Sequence, residues 1–415
     1  MTPPLAKWTV GKRTRSVTAP ARSRSSLPAV LVEDWRTGGF GLYVHWPFCQ
    51  AKCPYCDFNS HVSREIDQSA WVRAYLRELE RAATETQGRV LTSIYFGGGT
   101  PSLMAPNSVA AVIESARHHW SFANDIEITL EANPGSVEAG RFAGFRDAGV
   151  NRVSMGIQAM NDTDLRRLGR IHTVAEARAA FDIAQNCFDR VSFDLIYARQ
   201  EQTLADWRAE LTEALSMAVD HLSLYQLTVE QGTAFGDRYN AGKLHGLPDD
   251  DLSADMYFAT QEICEDHGMP SYEVSNHARP GSESRHNLVY WRYGDYVGVG
   301  PGAHGRISRN SARFATESVR NPTAWLDSVA RETGELKRYS LSPQDQGCEY
   351  VMMCLRLTEG IDIDRYTAIT GTALPAARIA DLEDLGMTQL SGNRLTVTKQ
   401  GRPVLNAILR ELLAV

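Results

Sequence analysis

The sequence predicts an α/β fold around a parallel sheet, followed by a smaller helix–hairpin–helix module. Three observations carry this. Short apolar runs alternate with helical patterns from residue 41 to about residue 230. Polar and glycine-containing segments recur just past the ends of those runs. After residue 310 the alternation stops. Repeated strand–helix units imply a parallel sheet. A doubly wound open sheet and a partial barrel both satisfy the pattern.

In chain order the strands fall at 41–46, 91–97, 125–131, 151–157, 190–196 and 220–227. Between the first two, Val72, Tyr75, Leu76 and Leu79 recur on one face of a helix. Further helices fall near 106–118, 136–148, 173–186 and 203–218. Beyond residue 310, Ile379, Leu382 and Leu385 mark a helix closed by Gly386. A hairpin follows, Met387–Leu390 with Arg394–Val397 around Ser391-Gly392-Asn393. Thr398 is placed to N-cap a last helix carrying Val404, Leu405, Ile408 and Leu409. Helix–hairpin–helix resembles a winged helix. Asp381, Glu383 and Asp384 argue against DNA binding, so the module reads as a lid or a partner-docking unit. The expected partition is 1–38, 39–310 and 311–415.

The first segment is basic. Lys7, Lys12, Arg13, Arg15, Arg22 and Arg24 are interleaved with Ser, Thr and Pro, and the first acid is Glu33. Such composition cannot bury a core and predicts a disordered tail. The alternative, an organelle transit peptide, is opposed by Pro3, Pro4, Pro20 and Pro28, which interrupt any amphipathic helix. The net charge of −7 gives no electrostatic footprint for nucleic acid. Seven cysteines in a long chain read as reduced thiols, which suits the cytoplasm. No apolar run is long enough to span a bilayer.

Chemistry concentrates in Cys49-Gln-Ala-Lys-Cys53-Pro-Tyr-Cys56, directly after the first strand. Three close thiolates with no fourth nearby suit a 4Fe–4S cluster with one iron left open, since such clusters normally take about four thiolates. The alternative is a zinc knot with His45 or His61 as fourth ligand. Structural zinc usually draws spaced pairs of ligands, and Cys187, Cys264, Cys348 and Cys354 offer no second pair. The other strand ends carry Gly97-Gly98-Gly99-Thr100-Pro101-Ser102, Glu131-Ala132-Asn133-Pro134, Ser154 to Gln158, Asp194 to Tyr197 and Ser223 to Leu227. Taken singly, the glycines could form a tight turn and Glu131 or Asp194 could cap a helix. Gathered at successive strand ends they describe one shared pocket.

The C-x3-C-x2-C spacing is the signature of the radical S-adenosylmethionine proteins. The longer string Leu42-Tyr-Val-His-Trp-Pro-Phe-Cys49 with Cys53-Pro-Tyr-Cys56-Asp-Phe58-Asn-Ser60 resembles the HemN/HemW group within them, from about residue 40 to the C-terminus. The resemblance implies a partial (β/α)6 TIM-like barrel with a C-terminal winged-helix-like α+β domain. It implies an open iron that chelates S-adenosylmethionine and the generation of a 5′-deoxyadenosyl radical. Carried over position by position, cofactor contacts fall on Tyr43, Tyr55, Gly98, Gly99, Thr100, Glu131, Gln158, Arg170 and Asp194, with Cys49, Cys53 and Cys56 as metal ligands.

Within the group, the oxidases carry a further cysteine two residues after the third ligand. This chain has Phe58 there, as the heme-chaperone branch does. Arg285-His286-Asn287-Leu-Val-Tyr290-Trp291 matches that branch's H-N-x-x-Y-W motif. The resemblance therefore implies heme as a third cofactor, with His286 a candidate ligand and His304, in Gly298-Val-Gly-Pro-Gly-Ala-His304, a weaker one. Histidine is a standard axial ligand. The implied partners are apo-heme proteins, those of the respiratory chain among them, and the resemblance also allows transient membrane association and a heme-linked dimer. The alternative within the group is an oxygen-independent coproporphyrinogen III oxidase, a radical decarboxylation in porphyrin biosynthesis. One departure stands out. The group commonly continues D-L-I-Y with G-L-P-G, whereas this chain reads Asp194-Leu-Ile-Tyr-Ala198-Arg199-Gln200-Glu201.

Overall fold

A computed structural model describes residues 34–63 and 65–414. Most of the expected tail, 1–33, lies outside the described residues. The last part of that segment is folded: Asp34–Thr37 form a 3-10 turn, Trp35 packs edge-on against Phe40, and Asp34 takes two hydrogen bonds from Arg365. The described fold thus includes Asp34–Thr37, which were expected to belong to the tail.

The six expected strands form where the apolar runs predicted them. They are β1 Phe40–Trp46, β2 Val90–Gly98, β3 Ser121–Ala132, β4 Arg152–Gln158, β5 Arg190–Tyr197 and β6 His221–Gln226. They pair in sequence order and in parallel. Five more strands join the same sheet: β7 Asn276–Ala278, β8 Asp295–Val299, β9 His304–Arg309, β10 Ala312–Ser318 and β11 Glu335–Ser340. β7 pairs antiparallel with β6, β8 runs parallel beside β1, and β9 to β11 continue antiparallel beyond β8. The result is an open eleven-stranded sheet with the order β11-β10-β9-β8-β1-β2-β3-β4-β5-β6-β7. This is the partial-barrel α/β fold, with a mixed rather than purely parallel sheet.

The sheet does not stop at residue 310. It runs to Ser340, because β10 and β11 hydrogen-bond in register onto β9. The C-terminal module begins after it. There, Ile361–Asp362, Arg394–Val397 and Thr388–Ser391 make a three-stranded sheet, packed with helices Pro343–Cys354, Ile363–Thr370, Ala376–Asp384 and Leu405–Leu413 around a separate apolar core. That is the expected winged-helix-like arrangement, with local differences. The last helix starts at Leu405, not after Thr398. Thr398 instead accepts the N–H of Gly401, and an Arg402–Val404 3-10 turn intervenes. Leu385 and Val404, expected on buried faces, are exposed because each sits at the end of its helix. The helix expected over 136–148 breaks at Gly140 into Ser136–Ala139 and Phe142–Asp147.

The strands alternate in two senses. Ile94, Phe96, Ile128, Leu130, Val153, Met155, Val191, Phe193, Leu222 and Leu224 belong to the apolar core under the helices. The intervening residues on the other face are polar: Ser93 and Tyr95, Glu127, Thr129 and Glu131, Arg152 and Ser154, Ser192 and Asp194, His221 and Ser223. They bond to one another, for example Arg152 to Thr129 and Ser192, and Ser192 to Ser154. Parallel strands are usually apolar on both faces, so a polar inner layer marks a cavity that holds or approaches something polar.

Candidate functional site

The cysteine segment leaves β1 and makes a two-residue parallel ladder, Phe48–Cys49 with His61–Val62. Asn59 fastens this loop to the segments that follow β8 and β10, donating to Pro301 O at 2.9 Å and Arg320 O at 2.8 Å. All three cysteines are free thiols. Burial pushes the Cys49 and Cys56 thiols up from their ordinary range, so ligation by thiolate must be supported by positive charge.

Each sulfur has a hydroxyl or guanidinium group beside it. Thr100 Oγ1 lies 3.4 Å from Cys49 Sγ. Arg170 Nη1 lies 3.3 Å from Cys53 Sγ. Ser60 Oγ is 3.9 Å from Cys56 Sγ. Thr100 and Arg170, separated by 70 positions in sequence, thus meet at the cysteine loop, as expected of a shared pocket. Among the described residues no three His, Cys, Asp or Glu side chains approach one shared ion. Both nitrogens of His45 are engaged, with Tyr43 OH at 2.9 Å and Asn59 O at 3.0 Å. So engaged, His45 is not poised as a fourth zinc ligand.

The glycine turn is more constrained than its sequence suggested. Gly98 has φ +112°, and a Cβ on Gly99 would sit 2.6 Å from Phe48 O. Gly98 N–H donates to Glu131 Oε2 at 3.1 Å, Gly99 N–H to Trp46 O at 2.7 Å and Thr100 N–H to Phe48 O at 2.8 Å. These N–H groups are therefore not open to a ligand, and what the turn can offer is carbonyl oxygen.

Glu131 does not cap a helix. It accepts from Gly98 and from Tyr95 OH, the latter at 2.7 Å, and burial raises its pKa. Arg170 also donates to Asn133 Oδ1 at 2.6 Å and Gly156 O at 2.8 Å. Its Nε and the Oε1 of Gln158 are buried with no hydrogen-bond partner. Gln158 holds φ +75°, a strained conformation for a residue with a side chain. An unpartnered donor and an unpartnered acceptor beside the cysteine loop fit a ligand carrying both charges, such as the amino-acid end of S-adenosylmethionine. Tyr55 lies on the same side, among Leu165, Leu168 and Ile196.

Asp194 and Tyr43 sit one layer deeper. Asp194 accepts from Ser154 Oγ at 3.4 Å, and burial raises its pKa. Tyr43 stacks on Tyr95 and His286 in the barrel interior. In the loop that stands in place of G-L-P-G, Ala198 and Glu201 hold left-handed φ values of +57° and +58° at the two glycine positions.

His286 is not poised as a ligand. It is 1% exposed, with Nδ1 bonded to Ser93 Oγ at 2.9 Å and Nε2 to Tyr290 OH at 3.0 Å. Its ring stacks on Tyr95 at 4.8 Å, and burial lowers its pKa to about 3. The motif helix Arg285–Trp291 thus closes the polar interior from below. His304, at the start of β9, is only half-buried, and its ring makes no hydrogen bond among the described residues. Of the two rings, only that of His304 has a nitrogen with no hydrogen-bond partner among the described residues, and a ring nitrogen needs a free lone pair to bind iron.

Sequence reasoning missed Tyr95 and Arg152, and took Asn133, Ser154 and Ser223 only as parts of strand-end segments, with no role of their own. The available signal was the period-two polarity within strands read only for their apolar residues.

Comparison with known proteins follows the same lines. The chain matches the Radical SAM superfamily over residues 43–213 and the HemN C-terminal domain over residues 341–404. It is 37% identical to the mitochondrial radical S-adenosyl methionine domain-containing protein 1 of Bos taurus, over 90% of this chain and 87% of that one. It is 36% identical to the heme chaperone HemW of Escherichia coli, over 90% and 98%. Among solved structures it is similar to coproporphyrinogen III oxidase (HemN) of Escherichia coli, with a TM-score of 0.77 at 21% identity over 92% of each chain. At that identity the likeness is one of fold. Among the described residues no helix is long and apolar enough to cross a membrane.

Proposed function

Because the chain belongs to the HemN/HemW group of radical S-adenosylmethionine proteins, we propose that it is a cytoplasmic heme chaperone that delivers heme to apoproteins. It would hold a 4Fe–4S cluster on Cys49, Cys53 and Cys56 and bind S-adenosylmethionine against Arg170, Gln158 and Glu131. When bound, the cluster supplies an electron able to break a sulfonium carbon–sulfur bond. The residues of this chain do the rest. Thr100, Arg170 and Ser60 donate toward the thiolates. The unpartnered Arg170 Nε supports binding of a carboxylate. The Gly98–Thr100 turn, with its N–H groups engaged, leaves carbonyl oxygens suited to an ammonium.

The observation that carries the choice of chaperone over oxidase is Phe58. It stands where the oxidases of the group have a further cysteine, and relatives of matched length bear the name heme chaperone. For heme itself, His304 offers an unengaged imidazole, whereas His286 would have to leave two hydrogen bonds and a ring stack.

The test is anaerobic reconstitution of the full chain, followed by exposure to heme, an apo-heme protein and coproporphyrinogen III. The expected outcome is about four irons per chain, heme uptake, transfer to the apoprotein, and no conversion of coproporphyrinogen III with reductant and S-adenosylmethionine present. Steady formation of protoporphyrinogen IX would replace the chaperone reading with the oxidase one.

A further inference from the structure

We propose that Asn133 sets the reduction potential of the cluster by aiming two hydrogen-bond donors, Thr100 and Arg170, at two of its three thiolates. This rests on the cluster reading above. Asn133 follows the end of β3 and touches no cysteine. Its amide lies between the two donors, and the chemistry of its neighbours fixes which way it points.

Arg170 has donors only, so the Asn133 atom 2.6 Å from Nη2 is the carbonyl oxygen. The other amide atom is then the NH2 group, and it donates to Thr100 Oγ1 at 3.2 Å. With a lone pair of Thr100 so engaged, the hydroxyl hydrogen of Thr100 is left to donate, and Cys49 Sγ accepts it at 3.4 Å. On the other arm, Nη2 is also held by Gly156 O at 2.8 Å. A guanidinium is planar and rigid, so fixing Nη2 fixes Nη1, which lies 3.3 Å from Cys53 Sγ. The five groups form one chain: Cys49, Thr100, Asn133, Arg170, Cys53.

Hydrogen bonds to the sulfurs and local charge are among the factors that set the potential of an iron–sulfur cluster. A donor stabilises the more negative, reduced state, so it raises the potential. Losing it makes the cluster harder to reduce. Asn133 is thus a positioning residue acting through both donors. Cys56 supplies an internal contrast, since its neighbour Ser60 has no bond to Asn133.

The experiment is a potentiometric titration of the reconstituted cluster, read by electron paramagnetic resonance, with iron content measured on each sample. Asn133→Ala and Thr100→Val should each shift the midpoint downward. Asn133→Ala should shift it further, because it frees Thr100 and also removes one of the two anchors of Arg170 Nη2, leaving only Gly156 O. The double variant should fall no lower than Asn133→Ala alone, whereas Ser60→Ala combined with Asn133→Ala should be additive. Should Asn133→Ala fail to hold a cluster, Asn133→Asp retains the Arg170 bond but takes the Thr100 hydrogen for itself, and its midpoint should also fall. Full iron content with an unchanged midpoint in either Asn133 variant overturns the inference and leaves the cluster reading intact. Failure of both variants to take up iron, while Thr100→Val does, also overturns it and makes Asn133 a structural residue. A wild-type chain that takes up no iron removes the reading beneath it.

Discussion

Tyr95 and Glu131 share a 2.7 Å hydrogen bond between neighbouring strands, with the phenol donating to the carboxylate. The other oxygen of Glu131 accepts Gly98 N–H, and the far face of Tyr95 lies on His286. One tyrosine therefore joins the glycine turn beside the cysteine loop to the H-N-x-x-Y-W helix at the floor of the barrel.

Tyr95→Phe should weaken S-adenosylmethionine binding to the reconstituted protein. The phenyl ring keeps the stack but leaves Glu131 freer to turn. The loss reaches the ligand only through the orientation of Glu131, so the expected change is about 1 kcal/mol, roughly fivefold in affinity, below the full worth of a bond to a carboxylate. Glu131→Ala should cost more, about tenfold or greater, as a charge-assisted bond is lost. Calorimetry separates the two. Equal affinities for wild type and Glu131→Ala would mean that Glu131 serves the turn and not the ligand.

The buried carboxyls make stability depend on pH in a stated direction. Burial is the main cause that raises the pKa of Asp194, so the fold favours its protonated form. That contribution is present below the ordinary aspartate range and is lost as pH rises through the raised value. Asp194→Asn should therefore be more heat-stable than wild type at neutral pH. The advantage should vanish near pH 4, about where an ordinary aspartate titrates. Thermal melts of the metal-free chain across that range would show it. A constant difference at every pH would place the effect in packing rather than in charge.

How far the sequence could be read follows from these same strands. Runs such as Val153, Met155 and Val191, Phe193 announced β4 and β5, because one face of each is apolar. β9 to β11 were missed because Arg306, Thr316, Glu317 and Arg338 interrupt them, and antiparallel strands need no continuous apolar run. The cysteines, Thr100, Glu131 and Arg170 were legible through their motif neighbours. Asn133 and Tyr95 were not, since their roles depend on which donor faces which acceptor across strands. The motif around His286 was legible as a motif, but sequence could not show that Ser93, far upstream, occupies one of its nitrogens.

That occupancy separates the two histidines experimentally. His304→Ala should weaken heme binding or shift its Soret band while leaving the melting temperature nearly unchanged, since its ring is half-buried and makes no hydrogen bond. His286→Ala should destabilise the fold by about 2–4 kcal/mol, because it opens a cavity and leaves the Ser93 and Tyr290 hydroxyls without their partner. Heme titration and chemical denaturation on both variants decide the matter. Lost heme binding in a fully stable His286→Ala protein would assign the ligand to His286 and require the motif helix to move on binding.

The loop after β5 offers a prediction specific to this chain. Ala198 and Glu201 hold left-handed φ values that glycine would adopt without strain. What keeps the loop in place is Arg199, which is 3% exposed and donates to Asp164 Oδ2 at 2.9 Å and Glu210 Oε2 at 2.6 Å. Glu210 in turn accepts Met160 N–H at 2.6 Å and Gln202 Nε2 at 3.1 Å, tying the loop to the segment that carries Arg170. The Glu201 side chain contributes an exposed ion pair with Arg167, and such pairs are worth about 0–1 kcal/mol; its backbone N–H, bonded to Gly246 O, would remain in Glu201→Gly. Glu201→Gly should therefore be neutral or stabilising, since relief of a left-handed residue is worth about 1–2 kcal/mol against a similar loss of chain entropy. Arg199→Met should destabilise by about 3–5 kcal/mol, because it leaves buried Glu210 without its cation and Asp164 with only the partly exposed Arg167. Denaturant melts would check both. A mild effect at Arg199 together with a severe one at Glu201 would show that the exposed pair, and not the buried network, holds the loop.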